Sequence, residues 1–130
     1  MRGSTVWHQG LPCVRSLRRT GDCMTAKLFT PLTIRGVTIP NRIVVSPMDM
    51  YRAENGHPQA FHHVHDGRFA LGGAGMVMVE ATGVTPGGRI TNGCLGIWND
   101  AQAQELGKIA GFLRAEGTVP AIQLAHGGRK

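Results

Sequence analysis

From Lys27 onward, short apolar runs alternate with turn-forming residues. Leu32–Ile34 and Val37–Ile39 flank Arg35-Gly36, a spacing that predicts two brief strands around a two-residue turn. Arg42-Ile-Val-Val-Ser46 predicts a buried strand, ended by Pro47, which has no N–H to give a ladder. Residues 58–71 predict a helix with Phe61, Val64 and Leu71 on its apolar face, Pro58 near its start and Gly72-Gly73 at its end. Met76-Val-Met-Val-Glu-Ala-Thr82 is apolar on both faces, as expected of a parallel strand covered on each side, and it sets Glu80 toward the carboxyl end. A Gly-rich connection over 83–98 leads to the clearest helix. There Asn99 can cap, Gln102 takes the capping-box position, and Leu106, Ile109, Ala110 and Leu113 recur at helical spacing before Gly117 provides a stop. Pro120-Ala-Ile-Gln-Leu124 then reads as a further strand. The order β-α-β-α-β with buried strands predicts an α/β fold whose parallel sheet is built from right-handed crossovers.

Composition narrows the function classes. A chain of 130 residues with 42% hydrophobic content suffices for one domain with a modest core and argues against disorder. The greasiest stretch, Met76–Val79, is bounded by Gly75 and Glu80 and falls far short of the roughly 18 residues a membrane span needs. The formal charge of +6 does not form one basic face: Arg2, Arg15, Arg18 and Arg19 against Asp22 supply about half of it, and the remainder is scattered. With one Tyr and two Trp, none in a basic stripe, no nucleic-acid partner is expected. Cys13, Cys23 and Cys94 lack CxxC spacing, so neither a disulfide framework nor zinc is indicated, and a cytoplasmic setting is expected. Residues 1–23 differ in texture from the rest. They are basic and lack apolar periodicity or a secretory hydrophobic region, so they read as a disordered or non-native leader ahead of a start at Met24, with a transit peptide as the alternative.

Four blocks carry a resemblance. Lys27-Leu-Phe-Thr-Pro-Leu-Thr-Ile34 and Pro40-Asn-Arg-Ile-Val-Val-Ser-Pro-Met48 form the first, and Phe61-His62 with His65 the second. Met78-Val-Glu-Ala81 with Gly88-Arg-Ile90 and Leu95-Gly-Ile-Trp98 form the third, and Ile122-Gln-Leu-Ala-His126 with Gly128-Arg-Lys130 the fourth. In order and spacing they resemble the Old Yellow Enzyme family of NADH:flavin oxidoreductases, in particular its bacterial-type ene-reductase branch, from about residue 27 to the end. The resemblance implies the N-terminal portion of a (β/α)8 TIM barrel, about three βα units preceded by a short hairpin, over residues 24–130. It further implies FMN at the carboxyl-terminal mouth, NADPH or NADH as reductant, and a small-molecule unsaturated carbonyl substrate; a homo-oligomer of the full-length protein is compatible with it.

Carried over position by position, the resemblance assigns Ser46, Pro47, Met48 and Asp49, Ala81 and Gln123 to cofactor binding and Tyr51 to substrate binding. Ser46 to Asp49 present backbone groups to the ring edge, Ala81 leaves room for it, and the Gln123 amide can donate and accept at once, as a flavin pyrimidine edge requires. Barrel enzymes draw such residues from strand ends. Asp49 departs from the pattern, which carries Cys or Thr there. A carboxylate at this place disfavours the anionic reduced flavin unless burial keeps it protonated, and it also resembles flavin domains acting on aromatic or unsaturated acyl-CoA esters, a competing substrate class. Gly127 also departs, where Ala is commoner.

Blander readings stand beside these. His57, His62, His63 and His65 crowd together but without HExxH or a partnering cysteine, so no metal is assigned. Glu80 reads as a hydrogen-bond anchor for neighbouring loops rather than a general base, and Met76 and Met78 as core filling. A closed barrel needs eight strands and about 250 residues, and three strands can be counted. The expectation is therefore a truncated fragment with no assignable catalytic residue, inactive alone. The alternative class is a non-catalytic interaction module joining a partner by its open sheet edge.

Overall fold

A computed structural model describes residues 26–128. The leader 1–23, the start at Met24, and the terminal Arg129 and Lys130 lie outside the described residues.

Strands β1 (Leu32–Ile34) and β2 (Val37–Ile39) pair antiparallel, with Ile34 opposite Val37. The two-residue turn this leaves is the one read from the sequence. Its first residue, Arg35, has φ 53, the left-handed geometry that suits the twist of a hairpin. Thr33 and Thr38 face one another across the pair with hydroxyls 3.0 Å apart.

Strand β3 (Val44–Val45) is followed by helix α1 (Ala60–Leu71), strand β4 (Met76–Gly83), strand β5 (Leu95–Gly96), helix α2 (Asp100–Ala115) and strand β6 (Val119–Ala125). β4 is central. Met76 pairs with both Val44 and Val119, and Thr82 with both Leu95 and Leu124, all parallel. β6 therefore lies along one edge of β4, and β3 and β5 share the other. Because β3, β4 and β6 are adjacent and parallel, their carboxyl ends meet at one end of the sheet. Between Val79 and Thr82 the register with β6 slips, so Glu80 and Ala81 together stand opposite Gln123.

The core lies between the sheet and the two helices: Val77 and Val79 of β4 and Leu95 of β5 pack with Ala70 of α1 and Leu106, Ile109 and Leu113 of α2. α2 follows the sequence reading closely. The Asn99 side chain accepts the Gln102 N–H at 3.0 Å, Leu106, Ile109 and Leu113 are buried, and Gly117 at φ 78 ends the helix. The Gln102 side chain accepts from Trp98 N rather than from the cap residue, tying the incoming loop to the helix.

Three expectations are corrected. The apolar face assigned to α1 is wrong: Val64 is 71% and Leu71 68% exposed, and the buried face consists of His62, His65, Asp66, Gly67 and Ala70. The inward face is polar where it meets the buried Glu80 and small where Phe112 of α2 approaches, 2.9 Å from where a Gly67 Cβ would stand. The first sheet strand is Val44–Val45 alone, and Val44 is 48% exposed, because among the described residues β3 has a neighbour on one edge only. The connection 83–98 is not irregular throughout: it contains β5, with Cys94 and Leu95 fully buried, and a single 3-10 turn at Pro86–Gly88. Among the described residues no helix is long and apolar enough to cross a membrane.

Candidate active site at the strand tips

The residues that follow β3 run across the carboxyl end of β4. Among the described residues, Ser46, Pro47, Met48 and Asp49 make no backbone hydrogen bonds outside the strands. The segment is next pinned at Met50, whose N–H donates to Glu80 Oε2 at 3.0 Å. Glu80 is thus a loop anchor. It is buried, as is Thr82, whose hydroxyl donates to the Glu80 carbonyl at 2.8 Å and stiffens the bulge.

Asp49 sits beside this bulge. Burial raises its carboxyl above the ordinary value and the neighbouring Glu80 raises it further, against a hydrogen bond from the Ala81 backbone that lowers it. Its Oδ1 is enclosed and has no hydrogen-bond partner among the described residues, as are His62 Nε2 and Glu80 Oε1. Ala81 is buried within the bulge, whereas Gln123, opposite it on β6, leaves its amide exposed.

Tyr51 turns the chain with φ 54, a conformation uncommon outside glycine, and its side chain is exposed. The loop after β4 completes the rim. Arg89 lies over the Trp98 ring at 5.2 Å and donates to the Asn92 carbonyl at 3.1 Å.

The sequence-assigned residues therefore fall at one end of three neighbouring strands: Ser46 to Asp49 after β3, Ala81 on β4, Gln123 on β6, with Tyr51 on the same crossing segment. Ala81 differs in kind from the others, since its side chain is enclosed. The His62–Glu80 contact was not read from the sequence; the only signal was the Phe61-His62 block. The histidines disperse: His57 Nδ1 pairs with Glu105 at 2.7 Å, His62 and His65 turn inward, and His63 is exposed. Among the described residues no cluster of three or more metal-ligating side chains forms.

Free backbone groups after β3, an exposed carboxamide on β6 and an enclosed, unpartnered carboxyl oxygen beside them suit the polar edge of a flat heteroaromatic ring. This donor and acceptor set fits a flavin.

Residues 27–130 match the NADH:flavin oxidoreductase / NADH oxidase family. The chain is 50% identical over 109 residues to an NADPH dehydrogenase of Bacillus cytotoxicus, a match covering 82% of this chain and 32% of that protein. It thus spans about a third of the length of this curated relative. Among solved structures it is similar to morphinone reductase, with a TM-score of 0.72 and 33% identity over 78% of this chain and 27% of that one. It is similar also to the old yellow enzyme homologue of Zymomonas mobilis, with a TM-score of 0.71 and 28% identity over 78% and 28% of the two chains. The likeness makes the parallel strands and their helices part of a TIM barrel. A family match over nearly all the described residues, on a sheet of parallel strands, establishes that this chain belongs to the NADH:flavin oxidoreductase / NADH oxidase family, as an N-terminal segment of the Old Yellow Enzyme type.

Proposed function

We propose that this chain is the opening part of an FMN-dependent oxidoreductase that uses NADPH or NADH to reduce activated C=C bonds in small unsaturated carbonyl compounds. One observation carries the reading: Ser46 to Asp49, Ala81 and Gln123 meet at the same end of three adjacent parallel strands, where barrel enzymes build their sites. FMN, when bound, supplies the two-electron relay between nicotinamide and alkene. The chain's own residues bind and orient. The backbone groups of Ser46 and Met48 would hold the ring edge, and the Gln123 carboxamide would donate and accept on the pyrimidine side. Tyr51, exposed on the crossing segment, offers its phenol to the substrate.

The proposal concerns a complete barrel. A closed barrel of this type needs eight strands, and the 130-residue chain by itself is proposed to be inactive. A cytoplasmic location is part of the same reading, in keeping with a buried free thiol at Cys94.

The test is a full-length protein carrying this segment, purified and examined for FMN absorbance, for anaerobic bleaching by NADPH or NADH, and for recovery of colour on adding cyclohexenone. All three are expected. Gln123→Leu should weaken FMN binding about 10- to 100-fold, as expected for a lost polar pair in a partly dry site. A colourless protein that gains no absorbance with added FMN would sink the reading.

A further inference from the structure

Three enclosed polar atoms lack partners among the described residues: Asp49 Oδ1, His62 Nε2 and Glu80 Oε1. They come from three elements, the segment after β3, helix α1 and strand β4. The tautomer of His62 is set locally, because the Gln59 backbone N–H donates to its Nδ1 at 2.9 Å as part of the cap of α1. With Nδ1 accepting, the ring carries its hydrogen on Nε2. That atom lies 3.9 Å from Glu80 Oε1, on side chains that are 2% and 4% exposed. A donor thus faces an acceptor across a gap about 1 Å longer than a hydrogen bond, in surroundings where leaving either unpaired is costly. A small rotation or one bridging water closes it.

The opposite oxygen of Glu80 holds the Met50 N–H. Met50 stands between Asp49 and the left-handed Tyr51, and such backbone persists only where its surroundings fix it. From the other side Gly93 does the same: a Cβ there would come within 2.7 Å of the Tyr51 carbonyl oxygen. Capping alone would need only His62 Nδ1. The inward aim of Nε2 at Glu80 is left without a role unless it steadies that carboxylate.

We propose that His62 and Glu80 form a positioning unit for the strand-tip site, in which helix α1 fixes the Glu80 carboxylate and Glu80 in turn sets the course of Met48–Tyr51 and the charge that Asp49 presents there. The importance of that charge rests on the FMN reading; the positioning itself does not. The other titratable groups facing Glu80 are His65 and Asp66 of the same helix, with the Arg68 guanidinium beside them.

Two variants of the full-length protein, with and without FMN, test this. Glu80→Gln removes the charge but keeps the shape, and the pH midpoint of the Asp49 side-chain carboxyl, followed by carbon-13 NMR, should fall. A purely structural role for Glu80 would leave that midpoint in place. His62→Asn keeps an acceptor for the Gln59 N–H and deletes the Nε2 donor, so the helix cap survives even if Glu80→Gln does not fold. In it, hydrogen exchange at the Met50 amide should quicken about tenfold. An unmoved Asp49 midpoint in a folded Glu80→Gln, or unchanged Met50 exchange in His62→Asn, would overturn the inference. The two effects appearing in a protein that never binds FMN would support the positioning unit and strike only the functional reading.

Discussion

Asp66 offers a quantitative check on how the inner face of α1 is packed. Its side chain is 6% exposed, and burial pushes the carboxyl up to about 6; the His62 ring draws it back down, Glu80 pushes it further up, and Arg68 lowers it. A carboxyl raised in the folded state binds its proton more tightly there than in the unfolded chain. The stability this contributes is fully present below the unfolded value, near 3.8, and is lost as pH rises through about 6. A shift of this size corresponds to at most about 3 kcal/mol, and partial solvent screening reduces it to about 1–2 kcal/mol. Asp66→Asn is nearly isosteric and carries no charge at any pH. Urea unfolding of both proteins, followed by far-UV circular dichroism at pH 4 and pH 8, cancels the other carboxylates in the double difference. The variant's stability relative to the native residue should improve by about 1–2 kcal/mol from pH 4 to pH 8. Parallel pH dependences would show that Asp66 is not held in a desolvated place, and the placement of α1 against β4 would have to be redrawn.

Gly56 has φ 81, and a Cβ there would stand 2.3 Å from the Trp98 ring, so Gly56→Ala should cost at least about 1–3 kcal/mol and shift the Trp fluorescence, whereas an unshifted spectrum would mean that the ring is not packed there. Leu113→Ala removes a fully buried side chain from the layer between helices and sheet and should destabilise by about 2–5 kcal/mol in chemical unfolding; a loss under about 1 kcal/mol would place it at the surface.

The elements governed by nearest neighbours were legible in the sequence. The hairpin follows from Arg35-Gly36 between two β-rich triplets, and α2 from Asn99, its spaced leucines and Gly117. β4 followed from a long apolar run. The strand-tip residues could be placed because each lies in a short block next to its own strand. Legibility ended where the deciding contact is distant along the chain. Counting apolar residues on α1 favoured Val64 and Leu71, yet the helix turns its histidines and Asp66 inward because its partner is the polar end of β4. Glu80 lies 30 residues from the Met50 amide it holds, and no local pattern encodes that bond. β5 escaped notice because two residues in a Gly-rich stretch give no periodicity; it exists because the edge of β4 beyond β3 is open to pairing at Thr82 and Gly83.

The account turns on a flavin meeting the tips of these three strands, and hydrogen–deuterium exchange of the full-length protein with and without added FMN reads that location residue by residue. Slowed exchange is predicted at Ser46 and Met48, at Ala81 and at Gln123, with the opposite ends of the strands, near Met76 and Val119, unaffected. Protection at those opposite ends, or no protection at the tips of β3, β4 and β6 while the protein is saturated with FMN, would contradict it.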